Sequence, residues 1–313
     1  MIRRLIFFFF ILLNLTSGFA QLKDIKIIIP KETGFSYYDF VQFFPNEKFF
    51  AVCGNALSII NTETSEVIDE YDLTYGAKNL SISPDGNQII LSVNNDLYVF
   101  SFINQKISLQ YKIPTSDLIK GLPNSEYYSS LPIGGCFFTE KKNEIYASIG
   151  SFTLKYDLEK KVVISSHAFP VTDYVIHSAY FAKKNEVVLA KTSGTLSTIM
   201  KQSLDDLTKT TDLITDAATP TKIKVRDSLA FCFTSNKYFI LDLETGSIVH
   251  EVRMPKYESY GLYDKALLKD INKRPSITKP DTINFSKDEY VYDIDFLTKE
   301  RLAVYATLKG IKF

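Results

Sequence analysis

Beyond residue 21 the chain carries no long apolar stripe of helical period. What recurs is a short alternating or fully apolar run, a tight polar turn, a second apolar run, another turn and a third run. "VQFFPNEKFFAVCGNALSIINTETSEVIDEYDL" starts at Val41, "LSISPDGNQIILSVNNDLYVFSFINQKISLQYKI" at Leu80 and "GCFFTEKKNEIYASIGSFTLKYDLEKKVVISSH" at Gly135. Three further units start at Ser178, Ile223 and Asp293. Aligned on Phe43, Ile82, Phe137, Tyr180, Val225 and Phe296, the shorter steps are about 40–45 residues. Five of the six units show a first hairpin turn (PNEK, SPDG, EKKN, AKKN, TKE), and four show a second (NTETSE, FINQK, DLEKK, DLETG).

A period of that length suits a unit of four antiparallel strands, which cannot bury both faces alone and must stack on its neighbours. The predicted fold is all-β, a β-propeller of four-stranded antiparallel blades. Six blades are expected, the last completed by an N-terminal strand over Asp24–Ile29, which would leave no free edge. The alternative is a seven-bladed propeller cut short at Phe313.

The clearest copy of the pattern is "SISPDGNQIILS", residues 81–92. Pro84 presets φ for the first corner of a turn, Asp85 tolerates the second, and Gly86 supplies a positive φ. A calcium loop would need further acidic ligands, and Asn87, Gln88, Ile89 and Ile90 follow instead. The segment therefore reads as a hairpin.

This segment, the "YVF" and "KYDL" third strands and the "DLETG" turn resemble WD-repeat propellers and related bacterial periplasmic propeller families. The likeness spans roughly residues 24–313. It departs from the WD pattern in having no Trp; Tyr156-Asp157 and Leu241-Asp242 stand near the place of the Trp-Asp pair, and the Gly-His dipeptide is missing. Such a resemblance implies a scaffold and specifies no activity.

The N-terminus "MIRRLIFFFFILLNLTSGFAQ" changes the picture of compartment. Arg3 and Arg4 precede an apolar run from Leu5 to Leu13, and Gly18 and Ala20 occupy small positions before Gln21. This is the form of a secretory signal over residues 1–20, leaving a single domain over 21–313. The apolar run is shorter than the roughly 20 residues that span a bilayer, so no stable membrane anchor is expected after cleavage. The expected location is exported, periplasmic or extracellular. Cys53, Cys136 and Cys232 make an odd number, all inside apolar runs, and read as buried hydrophobes.

Thirty-six basic residues balance thirty-six acidic ones, with no basic cluster, so nucleic acid is not an expected partner. Only His167, His177 and His250 are available for a histidine metal site, and two of them fall in outer runs of different units. There is no Gly-x-Ser-x-Gly elbow and no phosphate-cradling loop; Gly134-Gly135 reads as a bend. No catalytic, metal or cofactor-binding residues are assigned, and no cofactor is expected.

Two connections exceed simple links: residues 113–135 and residues 254–291. Both run from an outer strand to the next inner strand, which puts them on one face, and long loops on a rigid scaffold commonly carry function. Their Tyr127, Tyr128, Tyr257, Tyr260 and Tyr263 are candidate partner-binding residues, tyrosine being enriched at contacts; packing of the loops is the competing role. The expected function is an exported, non-catalytic scaffold that binds a protein or peptide through this face. Two alternatives stand beside it: a hydrolase or lyase working at the propeller channel, and the sensor propeller of a longer polypeptide such as a caspase-like peptidase.

Overall fold

The computed structural model describes residues 27–28 and 38–253, apart from 195, 217–219, 221 and 235–236, and the strands within 291–297, 302–307 and 310–312. Among these residues twenty-four strands are arranged in four-stranded antiparallel sheets. After β1 (Ile27–Ile28), the first blade is β2 (Tyr38–Phe43), β3 (Phe49–Gly54), β4 (Ala56–Asn61) and β5 (Val67–Asp72). The second is β6 (Ala77–Ile82), β7 (Gln88–Val93), β8 (Asp96–Ile103) and β9 (Lys106–Pro114). The third is β10 (Ile133–Phe138), β11 (Glu144–Ile149), β12 (Phe152–Asp157) and β13 (Val162–Ala168). The fourth is β14 (Asp173–Phe181), β15 (Glu186–Ser193), β16 (Leu196–Ser203) and β17 (Thr210–Asp216). The fifth is β18 (Lys222–Arg226), β19 (Leu229–Phe233), β20 (Lys237–Asp242) and β21 (Ile248–Arg253).

These five blades correct the count expected from sequence, which was six, or seven with a truncated end. Among the described residues the sixth repeat unit contributes three strands, β22 (Val291–Leu297), β23 (Leu302–Thr307) and β24 (Gly310–Lys312). Those strands join β1 in a composite sheet of order β1-β24-β23-β22. Ile27 pairs with Lys312 and Ile28 with Ile311, so a strand within the expected Asp24–Ile29 segment does join this sheet. β22 of this sheet lies beside β2 of the first blade. The fourth blade also begins earlier than its repeat unit suggested, at Asp173.

The middle strands of the first three blades are rich in apolar residues and buried along most of their length because both faces of a blade are covered. On β7, Ile89, Leu91 and Val93 join Phe44, Ala51, Leu57 and Ile59 of the first blade. Ile90, between them, joins Cys136, Ile145 and Leu154 of the third. Successive strand side chains point to opposite faces, so one strand feeds two interfaces. The same interleaving packs Phe137 and Tyr146 against Val187, Leu189 and Met200, and Phe181, Val188 and Ile199 against Ile223, Ala230 and Phe239. Cys53, Cys136 and Cys232 are buried and unbridged within these layers, and burial pushes the Cys136 thiol up to about 12.

The "SPDG" turn is a hairpin. Gly86 N–H donates to Ser83 O at 2.8 Å, and Gly86 sits at φ +74°. Ser83 Oγ donates to Asp85 Oδ1 at 2.6 Å, and the Asn87 N–H donates to the same oxygen at 3.1 Å. Burial pulls the Asp85 carboxyl up, but these hydrogen bonds outweigh it and hold it below its ordinary value. Asp85 is thus used in closing the turn.

Candidate interaction face

Among the described residues, the connections from outer to next inner strand at 73–76, 115–132 and 169–172 emerge on the same face as the turns between second and third strands. The interlocking is direct. Leu73 N–H donates to Asn55 O at 2.9 Å, Thr115 N–H to Asn95 O at 2.9 Å, and Phe169 N–H to Ser151 O at 2.8 Å. Residues 73–76, 115–132 and 169–172 therefore lie on one face, on successive blades.

Residues 115–132 fold into two short helices, α1 (Thr115–Leu118) and α2 (Ser125–Tyr128). Pro114 sits just before α1, where its missing N–H costs nothing. Leu118 and Ile119 are fully buried and extend the core between the second and third blades. Asn95 Nδ2 donates to Ser130 O at 2.8 Å, which holds the far end of the segment to the second blade.

Two adjacent tyrosines of α2 have opposite roles. Tyr128 is 1% exposed. Its ring meets Phe152 edge-on at 5.3 Å and Tyr174 at 6.4 Å, and its hydroxyl donates to Val171 O at 3.4 Å. It sits directly on Gly150, where a Cβ would overlap Tyr128 Cδ1 and come within 2.9 Å of Cε1. Gly150 also has φ +56°, so glycine serves both the turn and the seat. Tyr127 stands outward at 63% exposure, with its ring edge-on to Tyr128 at 4.9 Å. Its hydroxyl is 3.3 Å from that of Tyr174, and this hydrogen bond, followed by burial, raises the Tyr174 phenol.

Of the tyrosines proposed from sequence, Tyr127 is thus displayed and Tyr128 is its buried support. Tyr257, Tyr260 and Tyr263 lie outside the described residues, as does the whole of the second long connection. Sequence reasoning passed over Tyr75, Val171 and Tyr174. Tyr75 and Val171 are 60% and 55% exposed, in the short connections "LTYG" and "FPVT". The usable signal was their position between an outer and an inner run, where an apolar residue has no neighbouring blade to cover it.

Two residues beyond Val171, Asp173 opens β14 as half of an ion pair. Lys191 Nζ pairs with Asp173 Oδ2 at 2.7 Å and lies 5.2 Å over the Phe169 ring, against which His167 packs edge-on at 4.6 Å. Burial pulls the Asp173 carboxyl up, but bonds from Lys191, Ser193 and Thr172 outweigh it and hold it below the usual carboxylate range. Burial lowers the His167 pKa.

At the axis, five inner strands share one irregularity near the loop-bearing end. The pairing slips by a residue between Tyr38 and Phe40, Ala77 and Asn79, Ile133 and Gly135, Val175 and His177, and Val291 and Asp293. A bulge kinks the strand and re-aims a side chain. Lys78 and Ile176 are exposed at two of these positions. Gly134 occupies a third because its backbone approaches β14, where a Cβ would lie 2.6 Å from Val175 O. Farther along, Lys222 is buried with its ammonium 4.2 Å over the Phe40 ring, and His177 Nδ1 accepts the Ile223 N–H at 3.4 Å.

The three histidines are placed on β13, β14 and β21, in three different blades, and among the described residues no group of His, Cys, Asp and Glu is arranged to hold a metal ion.

No family model matches the sequence, and no curated protein matches it closely enough to be counted a relative. Among solved structures, the chain is similar to one described as the structure of U3-55K, with a TM-score of 0.56 and 8% identity over 74% of this chain and 67% of that one. It is similar to the crystal structure of RRP9 WD40 repeats at a TM-score of 0.56 and 9% identity, over 74% of this chain and 66% of that one. At such identity the likeness is one of fold: a WD40-like propeller.

Proposed function

We propose that this chain is an exported, non-catalytic propeller scaffold that binds a protein or peptide partner through its loop-bearing face. The observation that carries the reading is the row of exposed Tyr75, Tyr127 and Val171 on three successive connections of one face. Two of them share a rigid base: Tyr127 packs edge-on against buried Tyr128, whose hydroxyl donates to Val171 O. Rigid tyrosines supply large contact area at low entropic cost, which is why they dominate many binding surfaces. The repeated bulges around the axis add re-aimed side chains, Lys78 and Ile176 among them, to the same end of the molecule. The fold of the neighbouring structures supports a scaffold role by analogy. Export rests on the leader-like residues 1–20, which lie outside the described part of the chain.

The test is selection of peptides from a displayed library against the purified protein, followed by titration of a selected peptide. Tyr127→Ala or Tyr75→Ala is expected to weaken binding about tenfold, as for a contact of about 1–2 kcal/mol. Val67→Ala, on the outer strand of the first blade, is expected to leave it unchanged. Equal binding by all variants, or turnover of the peptide, would overturn the reading. Export is checked by N-terminal sequencing of the protein from the host's exported fraction, where the expected first residue is Gln21.

A further inference from the structure

The outer strand of a blade is an open edge, a row of N–H and C=O groups that can template pairing with another chain. Proteins ordinarily blunt such edges with charge or proline. Four of the five blades do so: β5 carries Asp69, Glu70 and Asp72; β9 has Lys106, Lys112 and Pro114; β17 has Asp212 and Asp216; β21 has Glu251 and Arg253. One such carboxylate is used across blades, Asp69 Oδ2 accepting the Ile107 N–H of β9 at 2.7 Å.

β13 is the exception. Its sequence, Val-Val-Ile-Ser-Ser-His-Ala over Val162–Ala168, contains neither a formally charged residue nor a proline. Its only titratable side chain, His167, is shifted by burial toward the neutral form. Val162 and Ile164 are exposed at 49% and 47%, and Ser166 and Ala168 continue the exposed row. All five outer strands share a bulge at the same place, Ile164 here, so the bulge does not distinguish β13. Side-chain chemistry does.

We propose that β13 pairs edge to edge with β13 of a second copy of this chain, giving an antiparallel two-fold dimer. In any register the strand meets only Val, Ile, Ser, Ala and a neutral His, so nothing repels it from itself. The flanking charges choose the direction. Lys160 and Lys161 precede β13 at one end only; Lys160 lies 3.5 Å from Asp157, and Lys161 lies 5.0 Å over the Tyr111 ring. A parallel mate would bring four lysines together at one end, whereas an antiparallel mate separates them to opposite ends of the joint. Antiparallel pairing of identical strands is the isologous arrangement of a two-fold dimer. The joined edge is short, so the dimer is concentration-dependent rather than permanent. This interface is on the rim and is independent of the loop-bearing face.

Sedimentation of the full chain over a wide concentration range tests the proposal. The unaltered protein is expected to pass from monomer to a species of twice the mass as concentration rises. Ile164→Lys, and separately Val162→Lys, are expected to abolish that species; both sites are half exposed, so the fold tolerates the change, as an unchanged circular dichroism spectrum would confirm. Val67→Lys on β5 is expected to leave the dimer intact. An unaltered protein that stays monomeric throughout, a dimer that survives Ile164→Lys, or one lost equally in Val67→Lys would each overturn it.

Discussion

The seat of Tyr128 on Gly150 makes a quantitative prediction through Gly150→Ala. Two costs are combined in this one methyl. Alanine at φ +56° adopts the left-handed conformation, at about 1–2 kcal/mol. The new Cβ would also overlap Tyr128 Cδ1, and Leu131 Cδ1 would be 3.1 Å away, so the ring must leave its place against Phe152 and Tyr174. Full displacement of an aromatic ring from a buried site costs about 3–5 kcal/mol, and partial accommodation costs less. Gly150→Ala is therefore expected to destabilise the protein by about 3–5 kcal/mol, with Tyr128→Ala at about 3–4 kcal/mol. The decisive measurement is the double variant in urea denaturation. With the ring removed, the overlap vanishes and Gly150→Ala should cost only its backbone strain, about 1–2 kcal/mol, leaving a coupling of about 2 kcal/mol between the two sites. Strictly additive losses would refute the reasoning, because they would mean that the tyrosine does not rest on the glycine. Tyr127→Ala, beside it but exposed, should change stability by less than about 1 kcal/mol.

Two further outcomes follow from the buried charge and the buried thiol. The Asp173 carboxyl is held below its ordinary value in the folded chain, so its stabilising contribution is fully present above the unfolded pKa of about 4 and is lost as pH falls through the lower folded value. Asp173→Asn leaves Lys191 without its carboxylate; it should lower stability at neutral pH by about 3 kcal/mol and flatten the acid limb of a stability–pH curve, and an unchanged limb would contradict the assignment. The Cys136 thiol, raised to about 12 by burial, should resist a thiol-specific reagent at neutral pH while the protein is folded and react promptly in denaturant, as read by mass spectrometry.

Much of the scaffold could be read from local pattern. Strand, polar turn and strand recur because the two-residue period and the turn chemistry of Ser83-Pro84-Asp85-Gly86 act over a few residues, and the hairpin formed as read. The burial of all three cysteines was legible for the same reason: each lies within an apolar run whose two faces are covered. The joining of the last unit by a strand from the other end of the chain was also legible, and β1 pairs with β24 there. The blade count was not, because a repeat period does not say how many units close on themselves as blades.

The candidate face shows the same division more sharply. The chain by itself determined that residues 113–135 were too long for a link and that tyrosines stood there. Only the tertiary structure decided that Tyr127 is displayed while Tyr128 is buried, since the discriminating atoms belong to Gly150, Phe152, Val171 and Tyr174 on the third blade and its successor. It likewise decided that Tyr75 and Val171 share their face, since residues distant in sequence become neighbours only when the blades stack. Backbone periodicity is a short-range property, whereas exposure is settled by whichever blade arrives alongside.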